Sequence, residues 1–227
     1  MSVTAIEGLT ETELDAFWRL GFLHRKNVFN GHQLATLRGD LDRVSGYADV
    51  IANQTGDVVA QQAWLTEERG AFFTPVLEVH QQSEAWQAVV TGVLQAHAAQ
   101  LLDAPAVLEH ATGIVKPPIR GMTFPLHQDG VYYSPDDGRC VLANVYLDDV
   151  TPENGSILFA PGSHGQLWPH DTTRGKKSVS HPEQFTNLIM PPAQAGDVVW
   201  FHLWTVHGSP PNRSASYRRS VRVGYIT

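Results

Sequence analysis

The sequence predicts a mainly β protein, a double-sheet β-barrel buttressed by helices that precede it. Two observations carry this. Apolar residues recur at helical spacing up to about residue 105 and then stop doing so. From Ala106 onward, short β-rich segments alternate with clusters of Gly, Pro, Asn and Asp. Strands that follow a helical layer, with no helices between them, argue against an alternating α/β fold.

Taken in order, Thr10-Glu11-Thr12-Glu13 reads as a capping box opening a helix. Leu14, Phe17 and Trp18 follow at helical spacing, and Gly21 is the expected stop. Phe22-Leu23 begins a short strand. A second helix is expected from about His32 to Val44, with Leu34, Leu37, Leu41 and Val44 on one stripe. A third starts at Ser83, carries Trp86, Val89, Val90, Val93, Leu94, His97 and Leu101, and is over by Pro105. Strands are expected at Val107–Val115, Pro125–Tyr133, Arg139–Leu147, Ser156–Ala160, Asp197–Leu203 and Ser220–Ile226. The polar, turn-rich stretch from His170 to Phe185 reads as an excursion over the barrel mouth, and such loops often serve as lids. The expected organisation is one domain over 1–227, with a helical buttress over about 1–105 and a barrel over about 106–227. No internal repeat is visible.

Composition narrows the partners. The chain has 227 residues, 42% hydrophobic and 17% charged, which suits one globular domain with a real core. Its formal net charge is -7 and no run of Lys or Arg breaks the acidic balance. Nucleic acid and anionic membranes are therefore disfavoured as partners. The single cysteine, Cys140, has no internal disulfide partner. Together with an N-terminus that lacks a basic segment followed by an apolar one, this leads us to expect a cytoplasmic protein.

The chemistry concentrates in His127-Gln128-Asp129, answered far downstream by His207 and Arg218. On a strand, residues two apart share a face, so His127 and Asp129 can address one ion. The pair alone is weak, since about 0.6 His-x-Asp pairs are expected by chance from the composition. His207, at the end of the segment Gly196–His207, changes the balance. Two imidazoles and one carboxylate suit an open Fe(II) site better than structural zinc. Strand parity puts Arg218 and Arg222 on one face of the last strand and Arg219 on the other. A buried arginine facing a cavity is costly unless an anion meets it, and a guanidinium matches a carboxylate at two points.

Residues 122–226 resemble the phytanoyl-CoA dioxygenase-like family of Fe(II)/2-oxoglutarate-dependent oxygenases. The matching pieces are Leu126-His127-Gln128-Asp129, Leu147-Asp148-Asp149-Val150-Thr151-Pro152-Glu153-Asn154-Gly155-Ser156, Ala160-Pro161-Gly162-Ser163-His164, Gly196-Asp197 through His207-Gly208-Ser209, then Asn212 and Tyr217-Arg218-Arg219. The N-terminal helices match more loosely. The resemblance implies a cupin-like double-stranded β-helix, or jelly roll, with His127, Asp129 and His207 as the catalytic metal triad. It implies that Arg218, helped by the Ser209 hydroxyl, holds the distal carboxylate of 2-oxoglutarate, with O2 as the other co-substrate. It also implies hydroxylation of a small organic metabolite with release of succinate and CO2. Arg218 sits at the family's usual offset from the distal histidine; Arg222 does not. The presence of Asp129 argues against halogenation.

Other residues have ordinary readings. His202 lies five residues before His207 and would face the other way, as a packed core histidine. His164 fits a turn. Lys116 could help bind the co-substrate, and fits a surface turn at least as well. Tyr132, Tyr133, Arg120 and Trp204 are candidate substrate contacts, with wall packing the default for Trp204. Two other functions fit less well: a non-enzymatic cupin-type barrel binding a metal or small ligand, and an oxygenase acting on a protein side chain. Cupin sites need no keto-acid clamp, so Arg218 separates the first of these from the main reading.

Overall fold

The computed structural model describes residues 7–45, 74–119, 121–132, 139–171 and 177–227. Helix α1 (Glu11–Leu20) opens on the expected capping box, in which Thr10 Oγ1 accepts the Glu13 amide at 3.2 Å and Glu13 Oε2 accepts the Thr10 amide at 2.8 Å. A cap of this kind contributes about 1 kcal/mol. Gly21 ends the helix at φ 84°, and a Cβ there would lie 2.6 Å from His164 Nδ1. The chain passes straight into β1 (Phe22–Arg25), then into α2 (Gly31–Ser45), which buries Leu37 and Leu41.

The single helix expected from Ser83 to Leu101 is two helices, α3 (Glu84–Val90) and α4 (Val93–Leu102). They part at Gly92, whose backbone (φ −107°, ψ −109°) is not helical and where a Cβ would lie 2.6 Å from the Ala88 carbonyl oxygen. The apolar stripe runs on across the break, so periodicity alone does not reveal it. The β-rich part begins with β2 (Thr74–Val76) and continues with β3 (Val107–Lys116), β4 (Phe124–His127), β5 (Cys140–Tyr146), β6 (Leu158–Phe159), β7 (His170–Asp171), β8 (Ser178–Val179), β9 (Val198–His202), β10 (His207–Ser209) and β11 (Arg218–Ile226).

The strands pair antiparallel. Six form one sheet in the order β1-β9-β5-β11-β3-β2, three form a second in the order β4-β10-β6, and β7 pairs with β8. The large sheet is buried on both faces. Val141, Ala143 and Val145 of β5 and Val221, Val223 and Tyr225 of β11 pack with Leu37, Leu41, Trp86, Val90 and Leu94 of the helices. The alternate residues Cys140, Leu142 and Tyr146 pack with Phe159, Val199 and Phe201 on the inner side. Two buried faces explain why these strands read as nearly continuous apolar runs. Each fully buried side chain of this size stabilises the fold by about 1.5–3 kcal/mol. Trp86 is anchored further by its indole N–H, which donates to the Leu37 carbonyl at 3.1 Å. No helix among the described residues is long and apolar enough to cross a membrane.

Two departures from the sequence reading shape the site. The strand expected over Pro125–Tyr133 stops at His127 and gives way to a 3-10 turn, Asp129–Val131. The segment ending in His207 is two strands, because the chain turns after β9 and β10 joins the smaller sheet. Gly208 permits this second pairing. A Cβ at that position would lie 2.8 Å from the Phe124 carbonyl oxygen and 3.1 Å from the Leu126 nitrogen. Gly208→Ala is therefore expected to push β10 off β4 and lower stability by at least about 1 kcal/mol in urea denaturation. An unchanged unfolding midpoint would show that the backbones do not need this approach.

Candidate metal centre and its cavity

The β4–β10 register sets His207 directly opposite His127, although they are 80 positions apart in the chain. Their ring centroids are 4.4 Å apart. Asp129 enters from the turn that follows β4, so it reaches the same point without strand parity. His127 Nε2 lies 3.4 Å from Asp129 Oδ1, and His207 Nε2 lies 3.8 Å from Asp129 Oδ2. All three residues are buried, and their ligand atoms fall within 4.8 Å of one another.

Each imidazole is oriented from behind. His127 Nδ1 donates to the Pro125 carbonyl at 2.7 Å and His207 Nδ1 donates to the Thr205 carbonyl at 2.9 Å. A carbonyl only accepts, so the proton sits on Nδ1 and the Nε2 lone pair faces the centre, as a metal requires. Burial, reinforced by His127, pushes the His207 pKa from 6.5 down to about 3. Burial would raise the Asp129 carboxyl, but Arg222, His207 and His127 outweigh it and hold the group well below the usual carboxylate range. The nearest cation is Arg222, whose Nη1 donates to Asp129 Oδ2 at 3.0 Å. The donor set is thus two imidazole nitrogens and one ionised carboxylate, which fits a divalent ion.

Gln128 points away from the centre and fixes the turn. Its Nε2 donates to the Gln166 carbonyl at 2.8 Å and also to the Trp204 carbonyl, while its Oε1 accepts the Trp168 amide at 2.7 Å. Its backbone N–H donates to His170 Nε2 at 3.1 Å. The segment expected to form a lid is thereby tied to the residue between two of the ligands.

A cavity of about 320 Å³ opens beside the triad. At its inner end lies Arg218, 2% exposed. Arg218 Nη1 donates to Ser220 Oγ at 2.8 Å, and its Nε is buried without a partner. Its partner across the strands is Lys116, also fully buried, whose Nζ donates to Ser209 Oγ and to the Pro210 carbonyl, each at 2.6 Å. Burial and the nearby guanidinium push the Lys116 pKa well below its ordinary value. Among the described residues no carboxylate pairs with either cation. The amide of Asn144, buried and facing the cavity, also meets no partner. A guanidinium without a carboxylate at this depth is costly, and an anionic ligand would relieve it and accept from the Asn144 amide N–H.

A family described as phytanoyl-CoA dioxygenase matches residues 17–220. The chain belongs to the phytanoyl-CoA dioxygenase family. Among curated relatives, it is 25% identical to an ectoine dioxygenase of Bordetella parapertussis over 96% of this chain and 76% of that one. It is 26% identical to the peroxisomal phytanoyl-CoA dioxygenase of Rattus norvegicus over 90% of this chain and 64% of that one. Among solved structures, EctD from S. alaskensis with bound Fe aligns over 100% of this chain and 79% of its own, at 21% identity and a TM-score of 0.76. The epimerase SnoN, in complex with Fe3+, alpha ketoglutarate and nogalamycin RO, aligns over 95% of this chain and 82% of its own, at 21% identity and a TM-score of 0.77.

Within this family member, the structure brings together His127, Asp129, His207, Ser209 and Arg218 around one cavity. Tyr132 is at the rim, 46% exposed, with its ring edge-on to His127 at 6.1 Å. Trp204 does not line the cavity. It packs in the wall, where its ring fills the space a Cβ on Gly130 would take, because the chain turns there between β9 and β10. Arg120 and Tyr133 lie outside the described residues. His202 is a core histidine as expected, packed against Trp18, His164 and Trp204. Lys116 is no surface turn residue; it lies behind Ser209, beside Arg218. Asn144, Gln128, Arg222 and Lys177 join the site without having been assigned a part in it. Parity had marked only Arg222, by placing it on Arg218's face.

The buried imidazoles make stability depend on pH. His202 falls from 6.5 to about 4 and His207 from 6.5 to about 3, in both cases through burial first. Folded, they stay neutral where the unfolded chain takes up protons, so acid favours the unfolded state. Unfolding free energy of the metal-free protein is expected to fall as pH drops from about 6.5 to 4, and His202→Gln is expected to flatten that slope. Urea denaturation across this range checks it, and a slope unaffected by His202→Gln would refute the assignment.

Proposed function

We propose that this member of the phytanoyl-CoA dioxygenase family is an Fe(II)- and 2-oxoglutarate-dependent oxygenase that hydroxylates a small organic molecule. The supporting observation is the sharing of one cavity by a metal-fitting triad and a buried guanidinium, Arg218, that meets no carboxylate among the described residues. In this reading His127, Asp129 and His207 hold the iron. Arg218 takes the distal carboxylate of 2-oxoglutarate in a two-point contact, with Ser209 and Lys116 beside it. Bound there, iron supplies oxidation chemistry: O2 gives one atom to the succinate formed as 2-oxoglutarate loses CO2, and the other to a substrate C–H bond.

The protein's own part is binding, orientation and exclusion of water. The Pro125 and Thr205 carbonyls hold the imidazoles in the ligating tautomer. Ser220 aims the Arg218 guanidinium, and Ser209 fixes the Lys116 ammonium. Ile114, Met122, Phe124 and Phe201 keep the lining apolar, which strengthens each charge contact inside. Tyr132 is the substrate contact this geometry favours. We read the two sheets as a jelly roll, with helices and barrel forming a single domain. The ectoine and phytanoyl-CoA dioxygenases among its relatives support a small-molecule substrate.

Anaerobic addition of Fe(II) and 2-oxoglutarate is expected to produce a visible metal-to-ligand charge-transfer band. His127→Ala is expected to abolish it. Arg218→Met is expected to weaken 2-oxoglutarate binding by about tenfold to a hundredfold, the worth of a lost charge-assisted contact. Folded wild-type protein that gives no band would favour a non-enzymatic, cupin-type binding barrel. Substrate-stimulated succinate release from peptides but not from metabolites would instead favour action on a protein side chain.

A further inference from the structure

Gln128 separates two of the three ligands and lies between elements. β4 ends at His127 and the 3-10 turn begins at Asp129. The backbone N–H of Gln128 is taken by a side chain from β7: His170 Nε2 accepts it at 3.1 Å. The other ring nitrogen, Nδ1, donates to the Trp168 carbonyl at 2.7 Å. A carbonyl only accepts, so the proton sits on Nδ1 and Nε2 offers a lone pair. Both bonds are met by one neutral tautomer.

The strand pair that carries His170 also braces the two histidine ligands. His170 of β7 pairs with Val179 of β8. Val179 is buried in one cluster with Leu126 and Val206, the residues just before His127 and His207. Those apolar contacts carry no direction. The bond to His170 does, and it acts on the peptide unit that joins His127 to Gln128, one residue from Asp129. That unit needs a hold. β4 has four residues, and Asp129 stands on a 3-10 turn of three. Ligands placed from such short elements are set less accurately than those on long strands or helices, and a misplacement of about 1 Å is costly at a reacting centre. The Gln128 side chain fixes Gln166, Trp168 and Trp204, but not this peptide plane.

We propose that His170 is a positioning residue of the metal centre: by accepting the Gln128 N–H it fixes the peptide between His127 and Asp129, and so the angle at which these two ligands converge. This rests on the reading of the triad as a metal site given above.

The test compares wild-type protein with His170→Leu, which removes the acceptor, and His170→Gln, whose Oε1 restores one near the place of Nε2. Fe(II) affinity is measured anaerobically by competition with a chelator. The charge-transfer band is then recorded at saturating Fe(II) and 2-oxoglutarate. His170→Leu is expected to bind Fe(II) about tenfold or more weakly and to shift the band even when the site is full, and His170→Gln to recover most of both. A purely structural part in the fold would lower the urea midpoint without moving the band of the saturated protein. A folded His170→Leu protein with wild-type affinity and band overturns the proposal. So does a His170→Gln protein as weak as His170→Leu. Should neither variant fold, two-bond nitrogen–proton correlation spectra of the wild-type protein decide: the His170 proton is expected on Nδ1, and a proton on Nε2 overturns the proposal. Wild-type protein that takes up no Fe(II) defeats the metal reading of the triad, and the proposal falls with it; the other outcomes leave that reading standing.

Discussion

The pairing of β4 with β10 is the constraint on which the site depends. It alone brings His207 opposite His127, and both strands are very short. A pair this short is marginal by itself. It is secured by its surroundings. β6 pairs on the other side of β10. Ser163 Oγ accepts the Val206 amide at 2.8 Å, and the Ala160 amide donates to the Val206 carbonyl at 2.9 Å. Gln128 holds the Trp204 carbonyl. The run Ala160-Pro161-Gly162-Ser163 thus has a physical part in the centre without touching it: it clamps the backbone just before His207.

The large sheet divides its labour by parity. Odd-numbered residues of β5 and β11 face the helices and supply the apolar mass that makes the sheet rigid. Even-numbered residues face inward, and there β11 carries Arg218, Ser220 and Arg222 in succession. Arg219, on the outer side, spends its charge on Asp148 and Asp42, at 2.6 and 2.8 Å. The same strand therefore holds one arginine in a satisfied ion pair and two beside the cavity. Of these two, Arg222 meets Asp129 at 3.0 Å, while Arg218 meets no carboxylate among the described residues.

Much of this was legible in the chain. The capping box at Thr10, the stop at Gly21 and the change of texture at Ala106 are local signals, set by backbone hydrogen bonding and side-chain periodicity over a few residues. The triad, Arg218 and Ser209 were legible because particular residue types recur in a particular order. Less was legible where short-range patterns had no contrast. The apolar stripe across Gly92 hid a helix break, and the run from Gly196 to His207 hid a change of sheet. Lys116, beside two prolines, carried the marks of a surface turn, and only the pairing of β3 with β11 shows it buried against Arg218.

By itself, then, the sequence determined the element types, the inward and outward faces of the strands, and the three candidate metal-binding side chains. Tertiary structure decided which atoms meet: His127 with His207, Lys116 with Ser209, Arg222 with Asp129, and the wall position of Trp204. The reason is physical. Propensity, capping and alternation act between near neighbours, whereas register across strands 80 or more residues apart follows from packing the whole core at once, and no local pattern encodes it.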